Sequence, residues 1–281
     1  MEFDDFPLSP NRVVKTDRYL YAYREAQATL GKKGLGDPKS RRALLDLTNQ
    51  IYSGNTQAGA LFRAHNKAPA ANVSAWLSRI KSISHWVVLS GIAKPFIDFD
   101  HDFARSIART SRSAEGIVGL ERQLLDKGII LIHEPAAPGS KVDGCALKLS
   151  SGHMVIGMSL RYSRLDYYYF TLMHELGHIA LHASELDVPI VDDLDDAEAD
   201  HHDEIELEAN RFARDALIPR NEWRTAAART SLHLEDVNSF ASRIGVAPQI
   251  IAGRIRNERK RHDLFSAIVH AVNVRDILSD A

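Results

Sequence analysis

The sequence is poor in cysteine: Cys145 is the only one among its 281 residues, and a single cysteine excludes an internal disulfide. Long apolar runs are missing too, since no stretch approaches the roughly 18 uncharged apolar residues that a membrane-spanning helix needs. The acidic start, MEFDDFPLSP, has neither the basic residues nor the apolar run of a signal peptide. Together these absences predict a cytoplasmic protein that does not contact a membrane.

Charge of one sign is not in excess over the whole chain. The 35 Lys and Arg residues nearly balance the 37 Asp and Glu residues, so the net charge of −2 gives no reason to expect binding to a polyanion. Positive charge is nevertheless absent from one long stretch, because no Lys or Arg lies between Asp166 and Arg211. Within that stretch, residues 184–204 are acidic. We expect them to form a solvated lid that favours basic substrates such as DNA-binding proteins.

Apolar residues make up 44% of the chain, which is enough to bury a large core, and the length is typical of two domains. Residues 1–101 predict an all-helical domain that senses a signal, binds the substrate or covers the rest of the protein. Residues 102–281 predict an α+β domain that is mostly helical and begins with one helix over 105–127. Its sheet is expected to be small, with three strands at 128–134, 145–149 and 153–160.

The most informative stretch is TLMHELGHIALH, residues 171–182, which contains a His-Glu-x-x-His pattern. In a helix, His174 and His178 lie one turn apart on the same face, so both imidazoles can bind one metal ion. Glu175 lies beside them, where its carboxylate can take a proton from a metal-bound water. Two surface histidines on an amphipathic helix would show the same spacing, but the apolar residues around the motif predict a buried helix. Buried imidazoles need a polar partner, and we therefore predict a zinc site.

A hydrolytic zinc site needs a third protein ligand and an open fourth position for water. His182 is eight residues from His174, or about 12 Å along a helix, which is too far for bonds of about 2 Å to one ion. A structural role is the better prediction for His182. The next predicted helix, over about 203–216, offers Glu206 on one flank of its apolar stripe and Glu208 on the other. Periodicity alone does not choose between these two carboxylates.

The two motifs together resemble those of the ImmA/IrrE family of bacterial and phage metallopeptidases. The second motif of this chain reads EIELEANRFARDALIP, and the family has a helix of the pattern Glu-x-x-Ala-Asn-x-Phe-Ala that ends in Leu-x-x-Pro. The resemblance covers about 115–257 and is specific in both motifs. Two departures are a longer, more acidic linker between the motifs and Ile218 in place of leucine or methionine. The resemblance implies a zincin-like peptidase domain.

Roles for individual residues follow from this resemblance. It implies that His174, His178 and Glu206 are the zinc ligands of a metallo-endopeptidase. It implies that Glu175 is the catalytic base, and that Asn210 supports the ligands from behind. The sheet of such a domain is expected to bind an extended peptide along its edge strand, beside the zinc.

A narrow substrate is implied as well. The resemblance indicates a helix-turn-helix transcriptional repressor or antitoxin encoded nearby, whose site-specific cleavage induces phage, mobile-element, stress or defence genes. DNA damage or single-stranded DNA is the implied activator. The group that stabilises the oxyanion is left open among His153, Tyr162 and the tyrosines at 167–169.

Cys145 lies on the second predicted strand, which opens toward the zinc site, and it has two interpretations. A lone buried cysteine is commonly a small apolar side chain of the core. Alternatively, its thiolate is an inhibitory zinc ligand that occupies the fourth position and excludes water until it is displaced. The second interpretation predicts a higher basal activity for Cys145→Ser.

The C-terminal part contains another motif with two interpretations. FASRIGVAPQIIAGRI, residues 240–255, resembles a helix-turn-helix, and positive residues such as Arg254 and Arg256 accompany it. The segment either closes the peptidase domain by packing or reads DNA. The DNA interpretation gives an alternative function, that of a zinc-stabilised DNA-binding regulator or antitoxin-like module without peptidase activity. Glu175 separates the two functions, because a structural zinc site has no need of its carboxylate.

Overall fold

The computed structural model describes residues 70–194 and 204–280, together with six helical positions nearer the N-terminus, at 23, 24, 26, 27, 44 and 48. The rest of the predicted N-terminal helices up to residue 69 lies outside the described residues. So does 195–203, the second part of the acidic segment. The division into domains 1–101 and 102–281 therefore stays a prediction.

Helices dominate the described part of the chain. They are α1 (Ala70–Leu89), α2 (His101–Arg109), α3 (Ala114–Val118), α4 (Leu120–Leu125), α5 (Leu165–His182), α6 (Glu204–Leu217), α7 (Arg220–Thr225), α8 (Leu234–Ile244), α9 (Pro248–Arg259), α10 (Ser266–Val269) and α11 (Val274–Ser279). The strands are β1 (Ile129–His133), β2 (Gly144–Lys148), β3 (Met154–Met158) and β4 (Ile190–Asp192). The fold is therefore α+β and mostly helical, as predicted. None of the described helices combines the length and the apolar content needed to cross a membrane.

The sheet has the strand order β1-β3-β2-β4. β1 and β3 are parallel, whereas β2 runs antiparallel to both of its neighbours. The three predicted strands are observed within two residues of their expected bounds. The predicted count of three strands is wrong, because β4 forms inside the acidic segment that was expected to be a solvated lid. Ile190 and Val191 are an apolar pair within that segment, and both are buried, so their burial draws this part of the segment onto the sheet.

Side chains of the sheet alternate between two layers. On one face, Ala146 of β2 and Ile156 of β3 belong to the main apolar core, which includes residues of α5 and of the C-terminal helices. On the other face, Leu147 and Val155 pack with Trp76 of α1. The sheet is therefore a middle layer with α5 on one side and α1 on the other.

The helix predicted over 105–127 is broken into shorter pieces. Ser113 has an extended backbone, with φ −145° and ψ 157°, and its hydroxyl accepts a hydrogen bond from the backbone N–H of Gly116 at 3.1 Å. This is the geometry of an N-cap, which begins a new helix at α3. A cap in the middle of the predicted helix ends α2 and turns the chain, so the single-helix prediction is wrong.

Candidate metal centre

Helix α5 carries the His-Glu-x-x-His motif in the interior of the protein. His174, Glu175 and His178 have no exposed surface, and apolar residues such as Leu172 and Leu176 are equally buried. The two imidazoles lie one turn apart, and their Nε2 atoms are 3.0 Å from each other. The helical period therefore brings two metal-binding atoms together inside an apolar helix.

Helix α6 packs closely on α5 and supplies a carboxylate to the same point. The Oε2 atom of Glu206 lies 3.1 Å from the Nε2 atom of His174 and 3.5 Å from that of His178. The close packing depends on Gly177, because a Cβ atom there would lie 3.1 Å from the Cα atom of Ala209 on α6. The glycine of the motif thus lets α6 approach near enough for its carboxylate to reach the imidazoles.

The choice between Glu206 and Glu208, which periodicity left open, is decided by what each carboxylate contacts. Glu208 pairs with His182 instead of joining the cluster, with 2.9 Å between its Oε2 atom and the Nε2 atom of the imidazole. His182 is therefore tied to the outer flank of α6, in agreement with the structural role predicted for it. Glu206 is the carboxylate that faces His174 and His178.

Asp192 of β4 joins the cluster, and sequence reasoning missed it. Its Oδ2 atom lies 3.5 Å from the Nε2 atom of His174 and 3.7 Å from that of His178. The ligand atoms of these three residues and of Glu206 all lie within 4.8 Å of one another. The available signal was the apolar pair in the run DVPIVDD, which indicates a short buried strand and makes the acid that follows it a candidate for burial.

The donor set fits a tetrahedral metal ion. Ligand atoms that each lie about 2.0–2.1 Å from such an ion are about 3.3 Å apart, and the distances of His174 to its partners are 3.0, 3.1 and 3.5 Å. The Oδ2 atom of Asp192 and the Oε1 atom of Glu206 are buried without a hydrogen-bond partner. Buried carboxylate oxygens without donors are costly unless a cation balances them. The cluster can therefore hold a metal ion.

The electrostatics of the cluster also favour a cation. Burial by itself would lower the pKa of His174, but the carboxylates of Asp192 and Glu206 outweigh burial and raise it to about 10. Burial by itself would raise the pKa of Glu206, but hydrogen bonds and charge from His174 and His178 hold it well below its ordinary value. Both shifts have one cause, which is the attraction between buried carboxylates and positively charged imidazoles at close range.

Glu175 lies beside the cluster without belonging to it. Burial, followed by the charge of Asp192, raises its pKa well above the ordinary value. Its carboxyl group also lies within hydrogen-bonding reach of that of Asp192, which contributes to the same rise. Its carboxylate reaches the backbone of β2, where a Cβ atom on Gly144 would overlap Oε1 and lie 2.9 Å from Cδ. This carboxyl group therefore lies between the donor cluster and the backbone of β2.

Asn210 lies on α6 one turn after Glu206 and therefore on the same side of the helix as that donor. It is buried, and its amide nitrogen has no hydrogen-bond partner among the described residues. A supporting role for Asn210 behind the ligands stays a prediction.

Cys145 is not among the clustered donors, and the structure contradicts its prediction as an inhibitory zinc ligand. Residues along a strand alternate between faces, so Gly144 faces Glu175 while Cys145 faces α1. Its sulfur, Ile80 and Trp76 all border Gly157 in the apolar layer between the sheet and α1. Burial, followed by the charges of neighbouring carboxylates, raises the pKa of its thiol well above the ordinary value, so it stays protonated. Cys145 is a small apolar side chain of the core.

The candidates for oxyanion stabilisation lie in different places. Tyr167 points its hydroxyl at Oδ2 of Asp143, next to Gly144, at 3.4 Å. The ring of Tyr162 lies against that of Tyr167, with 4.4 Å between centroids. The hydroxyls of the other two tyrosines of α5 point into the core, where they contact His133 and Thr110. His153 lies in the turn before β3, at the opposite end of β2 from Gly144. Of these candidates, only Tyr167 and Tyr162 are near the cluster.

The segment that resembles a helix-turn-helix packs inside the domain. Its second helix, α9, presents Ile251 and Ile255 to the main core, and Gly253 approaches α5 so closely that a Cβ atom would lie 2.7 Å from that of Asp166. The positive residues are engaged within the chain: Arg254 pairs with Glu258 at 2.8 Å, and Arg256 is buried and donates to a backbone carbonyl. This packing favours the interpretation in which the segment closes the domain.

Comparison with known proteins agrees with this geometry. Residues 127–256 match the peptidase M78 family model, which describes an IrrE N-terminal-like domain. No curated protein matches the chain. The matched part extends from the start of the sheet into α9 and contains the clustered donors and Glu175. The resemblance of the two motifs to the ImmA/IrrE family is thus confirmed over residues 127–256, slightly less than half of the chain.

Proposed function

We propose that this protein is a zinc-dependent endopeptidase. The observation that carries the proposal is the position of Glu175, which lies buried beside four donor side chains without being one of them. A structural metal site has no use for a further buried carboxylate, whereas a hydrolytic site needs a base there. Two imidazoles and a carboxylate are a donor set of hydrolytic zinc sites, and His174, His178 and Glu206 supply it.

The chain's own residues would divide the reaction among them. When bound, zinc supplies a Lewis acid that polarises the scissile carbonyl and acidifies water. Glu175 accepts a proton from the attacking water and delivers it to the nitrogen of the leaving amine. Its place beside the donors supports this double role, because one carboxylate there is near both the attacking water and the leaving nitrogen.

Two further groups are proposed for binding and charge stabilisation. The substrate would lie extended along β2, since that strand borders Glu175 through Gly144. The hydroxyl of Tyr167, with the ring of Tyr162 beside it, is the donor that we retain for the oxyanion. Asn210 would support the position of α6 behind Glu206.

For the substrate we retain a helix-turn-helix repressor or antitoxin encoded nearby, cleaved at one site to induce phage, stress or defence genes in the cytoplasm. Single-stranded DNA is retained as the activator. The family match supports a peptidase, and the substrate and activator follow from the resemblance of the two motifs alone. The lack of Lys and Arg between Asp166 and Arg211 supports a basic substrate.

The test is to co-express the chain with the helix-turn-helix protein encoded next to it and to follow that protein's intact mass, with and without DNA damage. Zinc content is measured on the purified chain. We expect wild type to bind zinc and to cleave. Glu175→Gln should bind zinc without cleaving, because only the base is lost. Glu206→Gln should lose most of the zinc, whereas the matched control Glu208→Gln should retain both properties.

Cleavage by zinc-loaded Glu175→Gln at the wild-type rate would overturn the role of the base. If wild type and Glu175→Gln both bind zinc and both leave the neighbouring protein intact under DNA damage, the result supports the alternative of a zinc-stabilised DNA-binding regulator. Arg254 and Arg256 are then the residues to change, and DNA affinity and its dependence on salt are the properties to measure.

A further inference from the structure

The outer edge of β2 is where an extended substrate would add to the sheet, and a segment of this chain already lies there. The backbone N–H of Lys148 donates to the carbonyl of Leu186 at 2.8 Å, and β4 then pairs with the rest of the strand. At the other end, the backbone N–H of Asp143 donates to the carbonyl of Asp192 at 2.8 Å. The edge is thus covered along its whole length.

Asp192 is the point where this segment reaches the metal centre. Its side chain is 5% exposed, and its Oδ2 atom has no hydrogen-bond partner although it lies 3.5 Å from the Nε2 atom of His174. A hydrolytic zinc site has three protein ligands and one open position. His174, His178 and Glu206 supply three ligands, so the carboxylate of Asp192 stands where the open position belongs.

A polar latch holds the end of the segment that follows Asp192. The Nη1 atom of Arg161 lies 2.8 Å from Oδ1 of Asp193 and 3.3 Å from Oδ2 of Asp143. The backbone N–H of Leu194 donates to the same Oδ2 atom at 2.9 Å. Arg161 and Asp193 are partly exposed, with 26% and 15% of their side chains accessible, so water can replace the bond between them, whereas Asp143 is buried.

The two ends of the segment are therefore held differently. Ile190 and Val191 are buried, one on each face of the sheet, and they anchor the start of β4 in the core. The end is held by the backbone hydrogen bond from Asp143 to Asp192, by the polar latch and by the contact of one carboxylate with the metal centre, without an apolar side chain of its own in the core. Such a segment can open at residues 192–194 while its start stays in place.

We propose that residues 190–194 are an autoinhibitory strap. In the closed state Asp192 blocks the open position of the metal, and β4 takes the place of the substrate on β2. Opening of residues 192–194 exposes the open position and frees β2 at Gly144, the pairing partner of Asp192. The event that activates the protein is therefore one that breaks the latch formed by Arg161, Asp143 and Asp193. The inference rests on the proposed peptidase function for its biological consequence, whereas the closure of the metal site is tested without it.

The test loads the full chain with Co²⁺ in place of zinc and titrates it with acetohydroxamate, a small metal ligand, while the visible absorption is recorded. Asp192→Ala should bind acetohydroxamate at least tenfold more tightly than wild type, because the competing carboxylate is gone. Asp193→Asn should lie between the two, because it weakens the latch only. The control is Asp187→Asn, which removes an exposed acid of the same segment that pairs with Lys148 away from the metal, and it should behave as wild type.

Two outcomes overturn the strap. If Asp192→Ala and the isosteric variant Asp192→Asn are folded by circular dichroism but bind less than one metal ion per chain, Asp192 is a permanent ligand. If they bind the metal but take up acetohydroxamate no better than wild type, Asp192 does not block the open position. Either result removes the proposal without bearing on the role of Glu175.

Cleavage of the neighbouring helix-turn-helix protein separates the strap from the proposed function. Faster cleavage by Asp192→Ala, together with tighter acetohydroxamate binding, supports both. Tighter acetohydroxamate binding without any cleavage supports the strap and counts against the peptidase. Equal cleavage by wild type and Asp192→Ala supports the peptidase and overturns the strap.

Discussion

Gly144 is the residue through which the placement of Glu175 can be tested most directly. It stands on β2 where the carboxylate of Glu175 touches the backbone of the strand. In Gly144→Ala the new methyl group would overlap Oε1 of Glu175, lie 2.9 Å from its Cδ atom and lie 3.0 Å from Cγ2 of Thr171. Since β2 is fixed in the middle of the sheet, the flexible carboxylate is the part that moves.

The size of the effect follows from these distances. Ordinary contacts of a Cβ atom begin near 3.4 Å, so the carboxylate must retreat by about 1 Å. A displacement of about 1 Å in a reacting group costs about 10²-fold in rate, or about 2.7 kcal/mol. The free energy of unfolding should fall by only about 1 kcal/mol, because the end of a flexible side chain gives way easily. Metal content should not change, since the ligands lie on α5 and α6.

Gly157→Ala is the matched control, because it places a methyl group on the opposite face of the same sheet. There the new atom would lie 2.8 Å from the sulfur of Cys145, 3.0 Å from Ile80 and 3.1 Å from Trp76, all in a packed apolar layer. Overpacking of this kind costs about 1–3 kcal/mol of stability. The rate of cleavage per folded molecule should stay at the wild-type value.

The assay measures cleavage of the neighbouring helix-turn-helix protein, zinc content and denaturant unfolding for both variants. Gly144→Ala should lose rate with only a small loss of stability, whereas Gly157→Ala should keep the rate and lose more stability. A wild-type rate in Gly144→Ala would refute the assignment of Glu175 as the base at this position. Equal loss of rate in both variants would show that general disruption of the sheet is responsible.

Three further predictions follow from single contacts. Cys145→Ser should leave basal cleavage unchanged, because the side chain faces α1, and a rise in activity would restore the latency interpretation. Gly253→Ala should lower the free energy of unfolding, measured in urea, by about 1–3 kcal/mol, because its methyl group would overlap the carboxyl group of Asp166. The control is Asn257→Ala at an exposed position of the same helix, which should change the stability little. His182→Ala should retain one metal ion per chain by elemental analysis, and loss of the metal would show that His182 is a ligand.

Short-range patterns predicted much of this fold. The three strands before the motif were placed within two residues, because a run of apolar residues bounded by glycine or by turns specifies a buried strand locally. The pair of imidazoles was placed by the helical period alone. In both cases the information lies within a few residues of the structure that it specifies.

The rest depends on contacts between segments that are distant in sequence. Glu206 and Glu208 could not be separated by periodicity, because the difference between them is that His182, on another helix, binds one of them. β4 is only three residues long and stands in an acidic stretch, so its pairing with β2 decides its structure more than its own sequence does. Cys145 was predicted to face the metal because alternation along a strand shows which residues share a face, but not which face meets α5. Once Gly144 is known to face Glu175, the alternation fixes Cys145 on the other side.

Two glycines show why the spacing of the ligands alone does not make this site. The His-Glu-x-x-His pattern sets no requirement on its two middle residues. A Cβ atom on Gly177, however, would lie only 3.1 Å from the Cα atom of Ala209 on α6. Gly144 gives the same freedom on the other side of α5, where the strand meets Glu175. A larger residue at either position would move α6, with its donor Glu206, or the carboxyl group of Glu175. The metal centre is therefore defined by how closely one strand and one helix approach α5, and the proposed hydrolytic role depends on those approaches as much as on the donors.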